Sequence, residues 1–149
     1  MKNWYEVKVK YGKITQDGMD KIVTEVYLID SLSFTEAEAR ATEELEPFVT
    51  GVFDIAAVAK KNFSEVHLNG LDGTYFLSTI NLVTVSEKDG NEKLTKIRMI
   101  VEASSFQDAL DITEVKMSSS MLGYHIAGIV ETPIMDVFLY HLDESQTLA

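Results

Sequence analysis

The sequence contains no cysteine, which excludes a disulfide framework and a thiolate metal site. A reducing compartment fits that absence. There are two prolines and eight glycines, and no proline-rich or glycine-serine stretch divides the chain. Two beads on a free tether are therefore not expected. Apolar runs stay short of the ~20 residues needed to span a bilayer. Met1 to Lys10 alternates polar and apolar residues with lysines inside the pattern, which is not the plan of a secretion signal. Cytoplasm is the expected location. Basic residues are scarce: 13 Lys and Arg stand against 24 Asp and Glu, a formal net charge of −11. Such a balance repels nucleic acid and anionic membranes over long distances, so neither is an expected partner.

Catalytic motifs are missing too. His67, His125 and His141 show no His-x-x-x-His spacing, and the chain has no Gly-x-Ser-x-Gly, phosphate-loop or dinucleotide-binding glycine pattern. No cofactor, no metal and no catalytic triad are expected. Glu131 and Asp136, which bracket Pro133, and His125, in the predicted strand Tyr124 to Val130, are the residues an unfamiliar acidic active site would draw on.

What is present is a folding pattern. A chain of 149 residues can bury roughly 68–70% of its unfolded surface, enough for a core without staples. From Trp4 to Tyr11, Tyr5, Val7, Val9 and Tyr11 share one face and Glu6, Lys8 and Lys10 the other, the alternation of a half-buried strand. Gly12 to Asp20 returns the chain into a second strand, Ile22 to Ile29. Ser33 stands three residues before Glu36, the spacing of a capping box, and opens a helix with the stripe Phe34, Ala37, Ala41, Leu45 and Phe48. Pro47 closes it near Glu46, and Val52 to Val58 reads as a third strand. The same order returns as strand Tyr75 to Val83, turn Asp89-Gly90-Asn91, strand Leu94 to Val101 and a cap at Ser105. Ala37, Ala41 and Leu45 then map onto Ala109, Thr113 and Met117, each 72 residues on.

The expected fold is therefore α+β, with two tandem strand-strand-helix-strand repeats, residues 1–70 and 71–141, related by a pseudo-twofold axis in one compact domain. Phe34 and Phe106 are expected at equivalent buried positions, and 142–149 is expected to be a flexible tail. Trp4, Lys8 and Lys10 fall on the outward face of the first hairpin, with Lys96 and Arg98 in a similar row of the second. If the axis joins these rows, the five residues form a basic, aromatic groove suited to a small anionic ligand such as a nucleotide.

The segments Trp4 to Val9, Ser33 to Arg40 and Glu131 to Phe138 resemble a family of small uncharacterised proteins found in gut anaerobic bacteria and in their phages and mobile elements. The resemblance implies a cytoplasmic protein of phage or mobile-element origin and brings no catalytic residues with it. Three readings follow. One is a non-catalytic, homo-oligomeric binder that sequesters a small anionic ligand, such as a nucleotide immune signal, or inhibits a host protein. The others are a phage structural or assembly protein, and an enzyme using Glu131, Asp136 and His125.

Overall fold

In a computed structural model, residues 3–14, 16–49 and 51–139 are described. They form two helices and eight strands in two four-stranded sheets, an α+β architecture. The expected tail at 142–149 lies outside the described residues. No helix among the described residues is long and apolar enough to cross a membrane.

The chain divides into two units, residues 1–61 with 134–149, and residues 62–133. In the first, alternation builds β1 (Trp4–Ile14) and β2 (Asp20–Asp30), paired antiparallel through the full hairpin. Then α1 (Phe34–Leu45) carries the chain across β1 to β3 (Phe53–Lys61), which pairs antiparallel with β1 on its other edge. Ser33 caps the helix by accepting the Glu36 amide at 3.1 Å. Ala37, Ala41 and Leu45 face the sheet and are buried with Tyr5, Val7, Val9, Tyr27 and Ile29. The sheet order is β3-β1-β2-β8, where β8 (Ile134–Phe138) joins β2 in parallel from the far end of the chain.

The second unit repeats this order. β5 (Tyr75–Val85), β6 (Glu92–Glu102), α2 (Phe106–Met117) and β7 (Gly123–Glu131) follow the same path. A three-residue strand, β4 (Glu65–His67), joins β6 in parallel, for a sheet order β4-β6-β5-β7. Gly90 closes the hairpin at a φ of 72°, a backbone region that an L side chain enters at a cost. Correspondence extends to irregularities. The β1–β3 register slips between Lys8 and Val9 and skips Ala56, and the β5–β7 register slips between Thr79 and Ile80 and skips Ala127, each residue 71 places after its counterpart.

β4 pairs with Met99 to Val101 on β6, and β8 pairs along Val26 to Ile29 on β2. The last strand of each sequence half thus completes the sheet built by the other half. This reciprocal exchange is why the unit boundaries fall at 61/62 and 133/134, not at the sequence boundary of 70/71.

One expectation is corrected. Phe34 and Phe106 are equivalent but half exposed, at 53% and 56%. Each opens its helix and rests edge-on against one strand ring, Tyr5 at 5.0 Å and Phe76 at 5.2 Å. The burial falls one turn further along, on Ala37 and Ala109.

Candidate functional site

Alternation sorts the second unit's sheet into two faces. Phe76, Ile80, Met99 and Val101 lie under α2. Thr79, Asn81, Lys96 and Arg98 point to the other, helix-free face. Cross-strand register places Asn81 beside both Lys96 and His125, and Thr79 beside both Arg98 and Gly128. Two adjacent rows result, Lys96-Asn81-His125 and Arg98-Thr79-Gly128. Neither contains a carboxylate. Lys96, Arg98 and His125 are exposed, while Thr79 and Asn81 are half-buried between them. At strand spacing, each row is ~10 Å across, and two residues along one strand separate the cations by ~7 Å. Gly128 leaves its corner without a side chain. Beyond the rows the face turns apolar, with Leu77, Ile100 and Val130 on one side and Val83 and Leu94 on the other.

The first unit places its cations in the same two rows but on the neighbouring strand. Lys8 stands where Thr79 stands, next to Val26 and Ala57, and Lys10 stands where Asn81 stands, next to Thr24 and Asp54. Both lysines are exposed, but Lys10 shares its row with an acidic group. Trp4 lies on this face near its end, between Asp30 and Lys61, and is only 4% exposed. It offers no ring face for stacking, which corrects the aromatic part of the expected site. Trp4, Lys8 and Lys10 therefore belong to the first unit, and Lys96 and Arg98 to the second.

The acidic candidates separate. His125 pairs with Asn81 and Glu131 with Phe76, so they project from opposite faces of β7. Asp136 belongs to β8 in the first unit, opposite Tyr27. No group of three or more metal-ligating side chains occurs among the described residues.

Two further polar constellations escaped the sequence reading. In the first unit Glu25 accepts hydrogen bonds from the hydroxyls of Tyr11 and of Tyr27, the latter at 3.0 Å, and Phe138 stacks on Tyr27 at 5.6 Å. Burial, then the Glu25 hydrogen bond and charge, push the Tyr27 phenol above its ordinary range. The second unit has Leu82, Ile97 and Met99 at the matching register positions. In the second unit Glu102, 2% exposed, accepts four backbone amides from the Asn69 to Gly73 loop. That carboxylate fills its own anion nest and leaves it no room for a ligand. The Asn69-Gly70 and Asp72-Gly73 pairs were the available signal, since glycines at positive φ bend successive amides towards one point.

The family described as Domain of unknown function (DUF4494) matches residues 3–140, and the chain belongs to it. No match occurs among curated proteins or among solved structures.

Proposed function

We propose that this chain is a non-catalytic binding protein for a small anionic molecule such as a nucleotide, in the cytoplasmic phage or mobile-element setting its sequence resemblance implies. Lys96 and Arg98 neutralise the anion, and Asn81, Thr79 and His125 supply hydrogen bonds around it. The observation that carries this reading is the composition of the two rows. On a chain of net charge −11, they bring two cations and three polar side chains onto one exposed face without a carboxylate. Arg98 can meet phosphate or carboxylate oxygens with two parallel N–H donors, and Lys96 adds a point charge one row away. The face is open, so each exposed cation contributes little alone and affinity depends on both acting on one ligand.

Calorimetric titration of linear and cyclic nucleotides tests this. Binding should be lost in a Lys96→Ala/Arg98→Ala variant and retained in Lys8→Ala/Lys10→Ala, with a steep fall as salt rises. Absence of nucleotide binding at micromolar concentration, together with recovery of a host or virion protein in pulldowns from infected cells, would replace ligand capture with a protein-interaction role.

A further inference from the structure

β7 is a terminal strand of its sheet, nine residues long, and one edge of it has no partner strand in the sheet order. Proteins usually protect such an edge with charge, lysine above all. The equivalent terminal strand of the first unit follows that rule, since β3 carries Asp54, Lys60 and Lys61. β7 runs Gly-Tyr-His-Ile-Ala-Gly-Ile-Val before its first carboxylate at Glu131. Its surroundings are apolar on both faces. On the helix side a depression of about 300 Å³ lies between β7 and α2, lined by Phe106, Leu110, Ile126 and Ile129. On the helix-free side Val130 is 61% exposed.

The strand that fits this edge must be extended, uncharged and apolar on both faces. β7 itself meets all three requirements, with Tyr124, Ile126 and Ile129 on one side and Val130 on the other. Charge favours the same occupant. Two copies of net charge −11 repel one another, so they can meet closely only where charge is absent, and this edge is such a place. Antiparallel pairing about a twofold axis would present each edge to its own copy, the isologous arrangement commonest in soluble oligomers. We infer that the β7 edge, with the Phe106–Leu110–Ile126–Ile129 depression beside it, is a self-association surface through which two copies join their second-unit sheets edge to edge.

The inference does not depend on any ligand, and its test uses the full chain. Sedimentation equilibrium should show a reversible monomer–dimer equilibrium. Lysine at the exposed bulge residue (Ala127→Lys) or at Val130 (Val130→Lys) should weaken it by about tenfold or more, because a buried ammonium would have no partner there. The matching bulge substitution in the other unit, Ala56→Lys, is the control and should leave the equilibrium unchanged. Ala56, Ala127 and Val130 are exposed, so these variants should fold, with circular dichroism as the check. A chain that is monomeric at every concentration overturns the inference. So does a dimer indifferent to both β7 variants, or one equally weakened by Ala56→Lys.

Discussion

Replacing Glu102 by Gln preserves the shape of the side chain and changes one oxygen into an amide nitrogen. In the wild type, Oε1 accepts the Asn69 and Gly70 amides at 3.0 and 2.9 Å, and Oε2 accepts those of Asp72 and Gly73 at 3.1 and 2.8 Å. Gln can serve two of the four. Its NH2 group would face the other two as donor against donor. Hydrogen bonds to a charged group contribute about 1.5–3 kcal/mol each, so two lost bonds cost about 3–6 kcal/mol before relaxation. The loop can recover part of that by turning the orphaned amides to water, since Leu71 at its tip is already 86% exposed. A net loss of about 3 kcal/mol is expected. Urea denaturation should show it as a lower midpoint at unchanged slope, and exchange of the Gly70 and Gly73 amides should accelerate. The effect is also pH-dependent. Burial pushes the Glu102 carboxyl up, but the amides of Gly73, Gly70, Asn69 and Asp72 together outweigh it and hold the carboxyl below its ordinary range. A carboxylate with a depressed folded value stabilises above the unfolded value of about 4.3 and loses that contribution as pH falls through the folded value. The stability gap between wild type and Glu102→Gln should therefore be full at neutral pH and narrow in acid below that point. A variant within about 0.5 kcal/mol of wild type at pH 7, or a gap that stays constant into acid, would refute the caged-carboxylate account.

Two further outcomes follow from burial. Ser78 and Thr113 are fully buried and share a hydrogen bond at 2.8 Å, and Thr113 also donates to the Ala109 carbonyl, whereas the first unit has Val7 and Ala41 at the matching positions. Thr113→Ala alone should cost about 1–3 kcal/mol by stranding the Ser78 hydroxyl, and Ser78→Val/Thr113→Ala should regain most of it; additive losses in a double-mutant cycle would contradict the pairing. Phe34→Ala and Phe106→Ala should each cost only about 1–2 kcal/mol by thermal or urea unfolding, because half-exposed rings forfeit less than the ~3–5 kcal/mol of a buried one, and a larger loss would mean that the rings carry core packing.

The local parts of this fold were legible because their signals are local. A serine cap and a stripe at helical spacing both act within one helix, so Ser33 with Ala37, Ala41 and Leu45, and Ser105 with Ala109, Thr113 and Met117, could be read directly. Two-residue alternation likewise put Lys96 and Arg98 on one face. Non-local pairing was not legible. β4 is three residues inside what reads as a polar loop, and β8 follows a proline; nothing in either segment says which sheet edge it will join in parallel. Alternation also says which way a side chain points and not whether water reaches it there. Trp4 points with Lys8 and Lys10 yet is buried, as Leu28 is on the neighbouring strand of the same face. The companions of Lys96 and Arg98 needed the register of three strands, and a bulge at Ala127 shifts that register by one.

The two units can also be read against each other, and the comparison separates scaffold from chemistry. Positions that build the fold keep their character: the serine caps Ser33 and Ser105, the buried carboxylates Asp30 and Glu102, the skipped alanines Ala56 and Ala127, and the edge-on ring pairs that open each helix. Each has a structural reason that applies equally in both units. On the helix-free faces the match breaks down. Thr24 and Val26 of β2 face Lys96 and Arg98 of β6, position for position, and Asp54 of β3 faces His125 of β7. Exposed lysines that serve only solubility have no reason to gather in one unit beside a histidine while the other unit puts an aspartate there. The same holds at the sheet edges, where β3 keeps its charges and β7 has none before Glu131. The second unit therefore carries both the charge-selective face and the unprotected edge, and variants that exchange these residues between the units should move binding and self-association without disturbing the shared scaffold.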